Sequence, residues 1–196
     1  MSTVDLNLVN AKVLTEGGFV EAGVSVEAGR IQRIAKAPNL PRASETVDAG
    51  GNVVLPGLID AHVHLRDMGL AYKEDFYTGT CAAAAGGFTT VLDMPNTEPP
   101  TNSPERLREK IRRARDRAVV NIGFYAAFPP RREEFAEMAE AGAVAFKVYL
   151  HRPVTELDVH RDDVLLAALR WAREVKRVVA VHAEEAAFEI QYGHIH

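Results

Sequence analysis

From residue 54 onward the chain repeats one pattern, and that pattern limits its fold more than any other feature. Short apolar runs at Val54–Leu65, Thr89–Met94, Val119–Ala127, Ala143–Leu150 and Val178–Ala183 alternate with amphipathic stretches at Glu74–Ala85, Pro104–Arg117, Arg131–Ala141 and Asp162–Lys176. Apolar runs of this length read as buried strands, and the amphipathic stretches have helical period. The boundaries agree. Ser103 stands before Pro104 as N-cap and first helical residue, and Gly86 and Gly142 follow the first and third helices. Strands that alternate with helices make a parallel sheet. The expected fold class is therefore α/β, part of a TIM-type (β/α)8 barrel with about five βα units. An open doubly wound sheet is the rival, but it usually shows a glycine-rich first turn. Here the first turn carries His62-Val63-His64 instead.

Residues 1–53 read differently. Val4-Asp-Leu-Asn-Leu-Val alternates apolar and polar residues, and Gly17-Gly18, Ala28-Gly29 and Ala49-Gly50-Gly51 punctuate short strands. This predicts a small β domain over 1–53 and a barrel part over 54–196.

Composition narrows the function. The 196 residues carry a net charge of −4, 47% hydrophobic and 26% charged residues, which is ordinary for a soluble globular protein and gives no basic footprint for nucleic acid. The arginine-rich run Arg106–Arg117 is interleaved with acids and reads as a solvated helix face. Cys81, the single cysteine, excludes an intrachain disulfide and reads as a small core residue. No run approaches the ~20 apolar residues a membrane helix needs, and the N-terminus lacks the pattern of a signal peptide. The expected location is the cytoplasm, with no membrane partner.

Four strand ends hold unusual polar residues. In Asp60-Ala-His-Val-His-Leu-Arg-Asp67, alternate residues of an extended strand share a face. Asp60, His62, His64 and Arg66 are thus expected on one side. Two imidazoles could grip one metal, and a guanidinium beside them could hold a carboxylate by paired hydrogen bonds. The competing reading is two surface histidines that happen to be close. Asp93 and Asn96 follow the second strand, where Asn96 also reads as a turn cap and Asp93 as a supporting or ordinary strand-end residue. Lys147 lies between Phe146 and Val148 in an apolar strand, where a free ammonium is costly. It must be ion-paired, a Schiff-base amine, or carbamylated by CO2 to an anionic oxygen ligand. The nearby histidines favour carbamylation over the Schiff base. His182 alone reads as a core histidine, and in register with the others as a ligand. His151, His160, His194 and His196 receive no role.

Taken together, these segments resemble the N-terminal part of a dihydroorotase, a cyclic amidohydrolase of the amidohydrolase superfamily. The resemblance runs through Pro56-Gly-Leu-Ile-Asp-Ala-His-Val-His-Leu-Arg-Asp, Tyr72-Lys-Glu-Asp, Thr78-Gly-Thr-Cys-Ala-Ala-Ala-Ala-Gly-Gly-Phe-Thr-Thr, Asp93-Met-Pro-Asn-Thr, Phe146-Lys147 and Val181-His-Ala-Glu-Glu. It implies a small N-terminal β-sandwich beside the barrel and a metal-dependent hydrolase of C–N bonds in cyclic amides. The implied reaction is the reversible interconversion of dihydroorotate and N-carbamoyl-aspartate in pyrimidine biosynthesis. It further implies that His62 and His64 bind the more buried of two zinc ions, that carboxylated Lys147 bridges the pair, and that His182 binds the second. Arg66 and Asn96 would hold the substrate carboxylate. Allantoinases and hydantoinases share the metal motif and are the close competitors. A barrel typically takes ~250 residues, so the chain is expected to be truncated. The family's sixth-strand histidine and its eighth-strand acid/base aspartate fall outside it, and no catalytic acid/base is assigned. A homo-oligomer, a complementary chain, or a non-catalytic interaction subunit are the expected consequences.

Overall fold

The computed structural model describes residues 3–184. The chain divides into two compact units between Pro56 and Gly57.

In the first unit, β1 (Val4–Thr15), β2 (Gly18–Glu27), β3 (Arg30–Ala35), β4 (Ala43–Asp48) and β5 (Val53–Val54) form one sheet in the order β3-β2-β1-β4, with β5 also on β1. β2 runs antiparallel to β1 and β3, while β4 and β5 run parallel to β1. The β2–β3 hairpin turns on Ala28 and Gly29, both with positive φ (49° and 71°), which matches the right-handed twist of paired strands. Where a β-sandwich is expected, the described strands make a single sheet rather than two facing layers.

The second unit is built as β6 (Leu58–Val63), α1 (Phe76–Ala85), β7 (Phe88–Asp93), α2 (Pro104–Arg115), β8 (Asn121–Ala127), α3 (Arg132–Ala141), β9 (Ala143–Tyr149), α4 (Asp162–Glu174) and β10 (Val178–His182). All five strands are parallel and lie side by side in chain order. A doubly wound sheet reverses its strand order at a switch point. This one never does, so its winding is that of a partial barrel. The apolar run expected as one strand over Val54–Leu65 is split. Val53–Val54 pairs with β1, and β6 begins only at Leu58, after Pro56, which has no ladder donor. Gly57 allows close packing there, because a Cβ would fall 2.1 Å from Thr89 Oγ1.

Helix starts follow local chemistry. Asp75 and Thr78 form a reciprocal capping box at α1, and Ser103 Oγ accepts from Arg106 N–H at α2. Gly142, at φ 113°, ends α3. The main core lies between sheet and helices, with Phe124, Phe128, Phe146 and Val148 packed on Leu107, Phe135, Met138 and Ala168. Phe135 and Phe146 rings sit 4.9 Å apart. Strand alternation then places Ala145, Lys147 and Tyr149 on the opposite, inner face, where Ala145 clusters with Met94 and Tyr125. β6 and β10 are the sheet edges among the described residues, and Ile59 (65%) and Val178 (74%) are exposed there.

Candidate functional site

The strand ends meet at one end of the sheet. β6 stops at Val63, and its register with β7 shifts between Asp60 and Val63. The chain then leaves extended geometry, with Arg66 and Met68 at φ 59° and 72°. The expectation that Asp60, His62, His64 and Arg66 share one face of a continuous strand is therefore corrected. The Asp60 carboxylate accepts the His62 N–H at 3.0 Å. The two imidazoles still come together, their rings 5.2 Å apart.

Two buried carboxylates explain the departure from the strand. Asp93 Oδ1 accepts the Leu65 N–H at 2.8 Å, while Lys110 Nζ lies 2.6 Å from Asp93 Oδ2 and donates to Met94 O at 2.9 Å. Asp67, fully buried, accepts from Arg113 Nε at 2.8 Å, from Arg117 Nη1 at 3.0 Å, and from the N–H groups of Met68 and Phe76. The loop that carries His64 and Arg66 is thus clamped to α2 and to the start of α1. The run Arg106–Arg117 is only partly a solvated face, because Lys110, Arg113 and Arg117 turn toward these acids. Burial pushes the Lys110 ammonium below the usual lysine range, and Asp93 opposes that shift.

His64 Nδ1 meets Asn96 Oδ1 at 2.7 Å, which assigns the proton to Nδ1 and leaves Nε2 free to coordinate. Burial is the largest influence on His64 and holds its pKa below 6.5, against the Asn96 bond. The ring is neutral at neutral pH, as a metal ligand must be. Arg66 Nη1 reaches Asn96 O at 3.4 Å, a long contact. The Asn96 side-chain oxygen is committed to His64, so its amide N–H2 is what remains for a ligand.

Across the sheet, Lys147 is paired in register with Ala180, and Tyr149 with His182. Lys147 is 3% exposed, and its Nζ lies 5.0 Å from the Tyr149 ring centre. Among the described residues no hydrogen bond or ion pair reaches it, and burial pushes its ammonium down from 10.5. The Tyr149 and His182 rings are 5.7 Å apart, and His182 Nε2 touches Glu184 Oε2 at 3.0 Å. A cavity of about 370 Å3 is lined by His64, Arg66, Asn96, Tyr149, His182 and Glu184, among others. Four of the six expected site residues line it. His62 adjoins it through the His64 ring, and Lys147 through the Tyr149 ring. Among the described residues no three His, Cys, Asp or Glu side chains converge on one point. The imidazole donors instead stand in two places, His62 with His64 and His182 apart. His194 and His196 lie outside the described residues, and Cys81, expected in the core, is half-buried.

Sequence reasoning missed Tyr149, Asp67 and the cations Lys110, Arg113 and Arg117. Tyr149 follows Lys147 by two residues in a strand, so period two could have found it. Lys110 and Arg113 share one face of α2 and Arg117 follows two residues past its end, a spacing that marks a common side but not what covers it.

A family model described as dihydro-orotase-like matches residues 51–192. A dihydroorotase from Methanosarcina mazei is 31% identical over 95% of this chain and 41% of its own length. An allantoinase from Streptomyces avermitilis is 40% identical over 94% of this chain and 42% of its own length. The L-hydantoinase structure from Arthrobacter aurescens superposes with a TM-score of 0.86 at 30% identity, covering 98% of this chain and 44% of that one. The chain thus spans about two-fifths of the length of the relatives it matches. Among the described residues no helix is long and apolar enough to cross a membrane. The chain belongs to the dihydro-orotase-like family, and it matches the N-terminal part of that family's members.

Proposed function

We propose that this chain carries the metal- and carboxylate-binding part of a zinc-dependent cyclic amide hydrolase of the dihydroorotase type. The observation that carries the reading is Lys147, a buried strand lysine without an ion-pair partner among the described residues. An unpaired ammonium there is costly. Burial favours the neutral amine, which adds to CO2 to give a carbamate and release one proton. The product is an anionic oxygen donor on the same inner face as His182.

The donor set fits zinc, which takes imidazole nitrogen and carboxylate oxygen. His62 and His64 would hold one ion, carbamylated Lys147 would be shared, and His182 would hold the other. The Asn96 bond fixes the His64 tautomer as supporting groups do in metal sites. When bound, the metal polarises the ring amide and lowers the pKa of water. The chain's own residues bind and orient the substrate. Arg66 presents a planar guanidinium to a ring carboxylate, the Asn96 amide donates beside it, and the pinned Leu65–Phe76 loop keeps both in place without ordering at binding.

A second reading, an allantoinase or hydantoinase, is favoured by the allantoinase relative and the hydantoinase superposition. Arg66 separates the two. The zinc-loaded chain is titrated calorimetrically with dihydroorotate and with hydantoin, which has no carboxylate. Under the dihydroorotase reading Arg66→Ala weakens dihydroorotate binding by about tenfold or more and leaves hydantoin unchanged. Equal losses for both ligands would move the assignment to the second reading.

A further inference from the structure

The Tyr149 hydroxyl is a buried polar group, on a cavity-lining residue, that the fold leaves unused among the described residues. It is inaccessible to solvent and has no hydrogen-bond partner among the described residues, although Tyr149 itself lines the cavity with Arg66 and Asn96. Buried hydroxyls in folded proteins nearly always have a partner, and one left without costs about 1–3 kcal/mol. The position is fixed from three sides. β9 pairs Tyr149 with His182, the His182 ring lies 5.7 Å from its own, and Lys147 Nζ lies 5.0 Å from its ring centre. Ring packing therefore sets where the oxygen sits, and the oxygen contributes nothing to that packing.

We propose that the Tyr149 hydroxyl is a substrate-binding donor, which gives its hydrogen bond to an oxygen of the cyclic ureide whose carboxylate Arg66 and Asn96 hold. This rests on the cavity being the ureide site described above. A phenol at neutral pH has one proton to donate. Beside the cationic Arg66, a neutral donor binds a second oxygen without adding a second charge to desolvate. A cavity of about 370 Å3 is within the usual size for a small-molecule site, roughly 300–1,000 Å3. A cyclic ureide that carries a carboxylate on one side and a carbonyl on another offers one oxygen group to Arg66 and another to Tyr149.

Tyr149→Phe tests this, because it removes the oxygen and keeps both ring contacts. Wild type and variant, each loaded with zinc, are titrated with dihydroorotate, and zinc content is measured on both. The expected result is about tenfold weaker binding in the variant, with equal zinc content, together with a tyrosine near-ultraviolet difference spectrum on binding that only the wild type shows. Equal affinities, or no tyrosine perturbation in the wild type, would overturn the proposal. A wild type that binds zinc but no dihydroorotate would instead overturn the ureide reading of the cavity, and this proposal with it.

Discussion

Replacing Lys110 with methionine removes a charge from a fully buried ion pair of the second unit while keeping most of the side-chain volume. In the native protein Lys110 Nζ sits 2.6 Å from Asp93 Oδ2 and bonds Met94 O at 2.9 Å, and both side chains are essentially inaccessible. Removing one partner of such a pair leaves the other charge uncompensated, at a cost of about 3–5 kcal/mol. Asp93 keeps the Leu65 N–H at 2.8 Å, so the lower end, about 3 kcal/mol, is expected. That is a fall in melting temperature on the order of 10 °C. Lys110→Met/Asp93→Asn should recover most of the loss, since a neutral amide still accepts the Leu65 N–H. Urea unfolding followed by circular dichroism reads the free energy, and hydrogen exchange at Leu65 locates the damage to the loop. A loss below about 1 kcal/mol, in the range of exposed pairs, would refute the claim that this pair holds the loop bearing His64 and Arg66.

Three further outcomes follow from the same geometry. Asp67→Ala leaves Arg113, Arg117 and two backbone N–H groups without their acceptor, and urea unfolding should show a loss of about 2–4 kcal/mol. Lys147→Met removes an unpaired buried cation and should stabilise the metal-free chain by on the order of 1 kcal/mol at neutral pH. Because the folded Lys147 pKa lies below 10.5, that gain should fade as pH rises toward 10.5, checked by melting curves across pH. Burial holds the Tyr149 phenol up at about 12, from 10.0, so its stabilising contribution is complete below pH 10 and is lost as pH rises through about 12. Alkaline spectrophotometric titration should show a late-titrating tyrosine that Tyr149→Phe removes.

The fold of the second unit was legible because each element is locally consistent. The apolar runs are short, Ser103-Pro104 and Gly142 mark helix ends, and strand and helix periods alternate without conflict. Pro56-Gly57 marked where the first run breaks, yet the run still read as one strand, because apolar character alone carries no information about which sheet a residue joins. The candidate site could be proposed from sequence where it depends on residue type. His62, His64, Arg66, Lys147 and His182 stand out because their side chains are unusual in apolar strands or at their ends. What lay hidden depends on contacts distant in sequence. No local signal in Arg106–Arg117 says that Lys110 reaches Asp93, or that Arg113 and Arg117 reach Asp67. A basic helix face looks the same whether solvent or a buried acid covers it. Arg66 illustrates the same limit, since its left-handed backbone is imposed by the Asp93 and Asp67 clamps on either side.

The central claim is that His62, His64, Lys147 and His182 form a zinc site with Lys147 as its carbamate. The most direct measurement is the zinc content of the chain after growth with zinc and bicarbonate and removal of loosely held metal. The account predicts stoichiometric zinc in the wild type and a clear loss in Lys147→Ala and in His64→Ala. A wild-type chain that folds and retains no zinc, or a Lys147→Ala variant that holds as much as the wild type, would contradict it.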